Sequence, residues 1–459
     1  MQGFIDTERV EPTKRNVLER LKDFNEIYES LDGEDAKWQA NRCVQCGDPY
    51  CMNKCPLHNF IPQWLKKVSE NDFEFAFLLS NHSSPFPEIM GRVCPHDRLC
   101  EGDCTLNDGF GAITIGAIET YISEEGFKRG LKPDFSIQKT DKRVAIIGSG
   151  PAGLSCATYL LRAGINVDMF ERADMAGGLL TYGIPGFKLD KDVVKRRVDI
   201  LVEAGLNLKL NCEVGSNISF EEIDKNYDAI FLGIGATKPN SANVKNENSN
   251  GVIQAIEFLT EVQKKNFNKQ YLDKVDVKGK NVVVIGGGDT AMDCVRTSIR
   301  LGALSVKCLY RRDSYNMPGS KKEYKNAIEE GVEFVFNVSP KEIVVDNNNC
   351  VKSIIMQKTS LTQADSKGRQ KCEVVEGNDY EIEADIVILS LGFSQEIPEF
   401  LKSSNIECDS SGNIVINSEF ATTNSKIYAG GDCRRGADLV VTAAFDGREA
   451  AKSIIKKLI

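Results

Sequence analysis

Arg143-Val144-Ala145-Ile146-Ile147-Gly148-Ser149-Gly150-Pro151-Ala152-Gly153 decides the fold. The first five residues read as a buried strand. A glycine turn follows, then a predicted helix from about Pro151 to Ala163, then a strand at Val167–Phe170. That order is a βαβ unit. Gly148 permits a tight turn, Gly150 lets backbone approach a pyrophosphate, and Gly153 lets helix and strand pack closely. Pro151 and Ala152 open the helix, whose N-terminus offers free N–H groups and a favourable dipole to phosphates. Glu171 ends the second strand, where a carboxylate can accept from ribose hydroxyls. A glycine pattern alone is weak; the strand, helix and terminal acid around it give it meaning.

A second unit starts at Asn281-Val282-Val283-Val284-Ile285 and turns at Gly286-Gly287-Gly288-Asp289-Thr290-Ala291. A helix is expected over Thr290–Leu301 and a strand over Val306–Tyr310. Ala291 stands where the first unit has its third glycine, which implies slightly wider helix packing. Arg311 and Arg312 stand where the first unit has an acid. Guanidinium groups there suit a 2′-phosphate and favour NADP over NAD. A solvated turn is the other reading of the pair. Lys321 is a further candidate. The two units form a diverged internal duplication rather than a solenoid repeat.

Outside the units, the 459 residues have the composition of an ordinary globular protein, 41% apolar and 27% charged. A net charge of −9 argues against a nucleic-acid partner. No apolar run approaches the roughly 18–20 residues of a membrane span. Met1-Gln2-Gly3-Phe4-Ile5-Asp6-Thr7-Glu8 has no basic start followed by an apolar run, so a cytoplasmic location with reduced thiols is expected. Residues 1–35 read as weakly helical, with apolar spacing at Val17, Leu21, Phe24 and Ile27. A polar linker is expected at Lys132–Lys142, and an Asn-rich junction at Pro239–Asn250. Strands are expected near Ile343–Val345, Val351–Gln357, Glu373–Val375 and Ala384–Leu391.

Seven of the 15 cysteines lie between Cys43 and Cys104. Cys43-x2-Cys46-x4-Cys51-x3-Cys55-Pro56 is close to the bacterial ferredoxin run, in which the cysteine before proline serves the other cluster. On that logic Cys43, Cys46 and Cys51 hold one [4Fe–4S] cluster and Cys55 belongs to a second. Cys94, Cys100 and Cys104 follow. Two clusters need about eight ligands, so one is not a cysteine. Structural zinc is the alternative, and it would leave thiols over. No Cys-x-x-Cys follows Cys104, so a dithiol relay is not expected. The three histidines, His58, His82 and His96, all precede residue 100. Redox chemistry must then come from cofactors, with side chains supplying position and electrostatics.

Tyr428-Ala429-Gly430-Gly431-Asp432, followed by Val440-Val441-Thr442-Ala443-Ala444, resembles the close of the glutathione-reductase-type flavoprotein fold. That resemblance implies an FAD-binding fold with an NADP fold nested inside it. Asp432 then meets the ribityl–phosphate region, and Thr442 and Ala443 face the flavin ring. Gly233–Thr237 and Ser390–Phe393 resemble the crossovers between the two folds.

The whole chain resembles the small subunit of NADPH-dependent glutamate synthase. Specific segments are Arg42–Cys51, Gly91–Pro95, Gly177-Gly178-Leu179-Leu180-Thr181-Tyr182-Gly183-Ile184-Pro185 and Tyr310–Asp313. The N-terminal region of dihydropyrimidine dehydrogenase is similar in the same way. The resemblance implies that Cys104 completes the first cluster and that Cys55, Cys94 and Cys100 hold the second. By position, Glu119 is the remaining ligand candidate; a surface helix acid is its other reading. Gly178 and Leu179 join the FAD set. Expected divisions are a helical iron–sulfur domain (1–140), the first part of an FAD domain (141–245), an NADPH domain (246–385) and an FAD return segment (386–459). The implied activity passes hydride from NADPH to FAD, then electrons to a large subunit that makes glutamate. An NADPH:ferredoxin oxidoreductase or transhydrogenase subunit, a stand-alone electron-transfer flavoprotein, an adaptor without turnover and a zinc-bound module remain as alternatives.

Overall fold

The computed structural model describes residues 3–135, 138–272, 275–363, 370–402 and 404–459. The expected linker at 132–142 lies partly outside them.

The first βαβ unit forms as its sequence demands. Strand Arg143–Ile147 pairs in parallel with Asn166–Phe170, and helix Pro151–Arg162 crosses between them. Five parallel strands build this sheet, and the strand at its far edge, Ile427–Ala429, comes from the end of the chain. The last helix, Val440–Leu458, packs along Pro151–Arg162. Gly447 permits this approach, since a Cβ there would lie 2.1 Å from the Ala152 carbonyl oxygen.

The second unit repeats the design. Strand Asn281–Ile285 and helix Asp289–Arg300 lie in a second five-stranded parallel sheet with its own core. A three-stranded antiparallel sheet, Val338–Val345, Val351–Leu361 and Cys372–Glu383, is inserted before its last strand. That last strand, Ile386–Leu389, pairs with both Val252–Gln254 and Asn281–Ile285. The expected division at residue 385 is therefore corrected. An all-apolar strand buried on both faces belongs to the sheet interior, and the chain leaves the second fold only after it. The crossing is a short antiparallel pair, Lys238–Pro239 with Phe393–Ser394.

The cysteine-rich region is helical. Helix Ile61–Ser69 buries Ile61, Trp64, Leu65 and Val68, one face at helical spacing. It packs with Phe73–Ser83 and Ile115–Lys128 around a separate core.

The expected helical character of residues 1–35 is largely wrong before Gly33. Among the described residues there, Gly3–Asp6 and Val17–Arg20 are helical and the others form a strap. Its apolar residues serve other partners: Phe24 packs on the second nucleotide fold's core, and Ile27 N donates to Phe187 O at 3.2 Å. Arg20 is fully buried and pairs with Glu329 at 2.9 Å and Glu330 at 3.0 Å.

Candidate functional site

The first glycine loop is shaped by backbone contacts. Gly148 has φ +96°, and a Cβ there would meet the Gly233 carbonyl oxygen at 2.5 Å. A Cβ on Gly153 would lie 2.0 Å from Gly148 O. Gly150 has open space where a Cβ would be, the room a pyrophosphate needs against the helix start. Glu171 is buried just after strand Asn166–Phe170. It also accepts from Ser149 N at 3.0 Å and the Ser149 hydroxyl at 2.5 Å, which locks turn to strand. That bond had no signal in the sequence.

Two other segments close on this loop. A Cβ on Gly178 would come within 3.0 Å of Gly150 Cα, and one on Gly431 within 2.9 Å of the Ala152 Cβ. Leu179 is exposed beside Gly178. Gly431 also lies against Ala443, at the start of the last helix. Pro151, Thr442 and Asp432 lie on these same segments. Burial pushes the Asp432 carboxyl up to about 7. Asp446, unnoticed in the sequence, is fully buried; it accepts from Gly431 N at 2.9 Å and pairs with Arg434 and Arg435.

The second loop matches the first. A Cβ on Gly286 would meet Ser390 O at 2.1 Å, while Gly288 is open. Ala291 is buried in the helix packing; Thr290 precedes it. Asp289 accepts from Ser320 N at 2.8 Å and lies 3.5 Å from Arg98, so protein groups already engage it. The Arg311–Arg312 turn is held by its backbone: Thr359 donates to Arg311 O at 2.8 Å and Asn337 N to Arg312 O at 3.1 Å. Their guanidinium groups stand beside Tyr310, Arg311 is exposed, and Arg312 Nε has no partner. Lys321 is exposed at the start of helix Lys321–Glu329.

The seven clustered cysteines divide between two cavities. Cys43, Cys46, Cys51 and Cys104 line the first, with Leu65 and Ile115. Cys55, Cys94, Cys100 and Glu119 line the second, with His96, Ile115 and Val441. Among the described residues no three His, Cys, Asp or Glu side chains converge tightly enough to hold a single metal ion. Four donors spread around a cavity fit a cluster better than one tetrahedral zinc, whose thiolates sit at about 2.3 Å. Burial pushes the Cys43 thiol up to about 11 and Cys51 to about 12, and raises Cys94 and Cys100 strongly. Metal binding must displace those protons.

Glu119 is fully buried on helix Ile115–Lys128, and burial lifts its carboxyl to about 8. The amide of Asn59 donates to one of its oxygens at 2.6 Å. Asn59 is fixed in turn, accepting from Trp64 Nε1 at 3.2 Å and Ser83 at 2.7 Å. A carboxylate oriented by an outer hydrogen bond is a usual ligand arrangement. It is not the surface helix acid that the sequence left open. His96, noted in the sequence only as one of three histidines, lines the same cavity. Its Nε2 is buried without a partner.

Known proteins resemble this chain both by domain and over its length. The family model "dihydropyrimidine dehydrogenase domain II, 4Fe-4S cluster" matches residues 20–131, and "pyridine nucleotide-disulphide oxidoreductase" matches 142–447. The glutamate synthase [NADPH] small chain of Escherichia coli is 49% identical over 99% of this chain and 98% of its own length. The putative oxidoreductase AegA of the same organism is 46% identical over 97% of this chain and 69% of its own length. Mycobacterium tuberculosis FprA in complex with NADPH shares the fold at TM-score 0.59 and 21% identity, covering 70% of this chain and 85% of FprA. The chain is an NADPH-dependent oxidoreductase with an iron–sulfur domain, and it belongs to the family of the NADPH-dependent glutamate synthase small chain.

Proposed function

We propose that this chain oxidises NADPH on an FAD-containing fold and delivers single electrons through two [4Fe–4S] clusters to a glutamate synthase large subunit. That subunit forms glutamate from glutamine and 2-oxoglutarate. The carrying observation is the order of the sites. Val441 lines the second thiol cavity, and the next residues, Thr442 and Ala443, belong to the flavin set. Ile115 lines both cavities. The first cavity has half-exposed Tyr50 in its wall and so stands nearer the surface.

Flavin, when bound, accepts a hydride and releases electrons singly, and each cluster takes one. The protein's part is placement. Gly148, Gly150 and Gly153 shape one phosphate cradle; Gly286 and Gly288 shape the other. Arg311 and Arg312 supply charge to a 2′-phosphate. Cys43, Cys46, Cys51 and Cys104 would hold the outer cluster; Cys55, Cys94, Cys100 and Glu119 the inner one. No histidine lies beyond residue 96 to act as acid or base in the flavin fold. No helix among the described residues is long and apolar enough to cross a membrane.

The test is reconstitution. The chain is mixed with its candidate large subunit, NADPH, glutamine and 2-oxoglutarate. Glutamate formation that needs both proteins supports the reading. NADPH oxidation with ferredoxin and none with the large subunit would instead favour a ferredoxin oxidoreductase.

A further inference from the structure

The two nucleotide folds meet at a buried polar contact that the sequence motifs do not include. Lys188 lies just beyond the Gly178–Tyr182 segment of the flavin fold. Asp293 lies one turn into helix Asp289–Arg300 of the NADPH fold. Lys188 Nζ donates to Asp293 at 2.9 Å, with side-chain exposures of 14% and 7%. Glu323 stands 3.9 Å from the same ammonium.

The surroundings hold both partners. Lys191 Nζ donates to the carbonyls of Leu180, at 2.9 Å, and Ile184, at 2.5 Å, which staples the Lys188 loop to the flavin segment. The Phe187 ring lies 4.3 Å from the Arg296 guanidinium and 4.0 Å from that of Arg300. Arg296 pairs with Glu323 at 2.5 Å and Glu330 at 2.8 Å. Arg20 of the strap reaches Glu330 as well. The network thus joins three separate stretches of chain.

Burial alone would lower the Lys188 ammonium, but Asp293, Glu323 and Asp289 together hold it above the usual lysine range. Burial lifts Asp293 to about 6 despite Lys188. Desolvation cancels much of the attraction in such a pair, so its net effect on stability is small. What a directional buried pair supplies is a fixed geometry.

We infer that Lys188 is a positioning residue for hydride transfer: its ion pair with Asp293 sets the NADPH-binding helix at a fixed place against the flavin loop. The inference rests on the proposed NADPH-to-FAD step. Hydride transfer needs a near-attack geometry, and a misplacement of about 1 Å can cost about 100-fold in rate. Neither Lys188 nor Asp293 belongs to the Arg311–Arg312 turn assigned to the 2′-phosphate, so the pair governs rate more than affinity.

The experiment uses the holoprotein under anaerobic rapid mixing with NADPH, following flavin absorbance. In Lys188→Met the limiting rate of flavin reduction falls at least about tenfold. The half-saturating NADPH concentration and the flavin content stay within about twofold of wild type. Lys188→Arg recovers most of the rate. Asp293→Asn, nearly isosteric, repeats the loss if Lys188→Met folds poorly, and the double variant is no worse than the worse single one. An unchanged limiting rate with a lowered Tm would overturn the inference, as would equal losses in rate and affinity. If NADPH fails to reduce the wild-type flavin, the underlying reading fails instead.

Discussion

Val441 and Ile115 both line the second thiol cavity, Val441 from the first turn of the last helix and Ile115 from the start of helix Ile115–Lys128, where it lines the first cavity as well. On the proposed reading the flavin fold adjoins the inner cluster site, and the inner site adjoins the outer one through Ile115.

Cysteine substitution separates the two sites. Cys43→Ser or Cys104→Ser removes the outer cluster and leaves the inner one, taking iron from roughly eight to roughly four per chain. Cys94→Ser does the converse. Iron analysis and EPR of the reduced protein check this. NADPH still bleaches the flavin in all three variants, since the nucleotide cradles are built from other segments.

Glu119→Ala alters the inner cluster alone. Asn59→Ala produces a weaker form of the same change, because Asn59 orients the carboxylate. EPR of the inner cluster reads both. A spectrum that changes in His96→Leu and not in Glu119→Ala would transfer the ligand role to His96, whose buried Nε2 has no hydrogen-bond partner.

The role proposed for the arginine turn in cofactor choice has a direct test. Replacing Arg311 and Arg312 with alanine removes charge-assisted hydrogen bonds worth about 1.5–3 kcal/mol each. The KM for NADPH rises at least about tenfold while that for NADH moves little. Steady-state oxidation with an artificial acceptor measures both. Parallel increases would place the arginines in general folding rather than phosphate recognition.

Glu330 makes stability depend on acid. Burial alone would raise its carboxyl, but the Arg296 and Arg300 guanidinium groups outweigh burial and hold it down at about 2, against an ordinary 4.5. A depressed carboxyl stabilises the fold above its unfolded value and loses that contribution as pH falls from about 4.5 towards about 2. The full contribution is on the order of 3 kcal/mol. Glu330→Gln therefore lowers the thermal midpoint at pH 7.5, and the gap from wild type narrows below about pH 4.5. A gap that is constant with pH would contradict this role.

Much of this architecture was legible because its signals are local. Strand, glycine turn and helix occur within a few residues at both Gly148–Gly153 and Gly286–Ala291, and the cysteine spacing is a short-range pattern. The strand Ile386–Leu389 was assigned to the wrong fold because an all-apolar strand does not say which sheet it joins. Phe24 and Ile27 have helical spacing, but their partners lie on the second fold's core and at Phe187, far along the chain. Asn59, Asp446 and the Lys188–Asp293 pair were invisible for the same reason: each acts through a partner distant in sequence. Glu119 was found by position in a family, and its burial and its bond to Asn59 came only with the fold.

The most direct test of the account is an anaerobic titration of the purified chain with NADPH, with iron, sulfide and flavin measured on the same sample. The account predicts one flavin, roughly eight irons and roughly eight acid-labile sulfides per chain. It also predicts that NADPH bleaches the flavin and that cluster signals respond only when flavin is present. Zinc without sulfide, or clusters that NADPH reduces equally well without flavin, would contradict it.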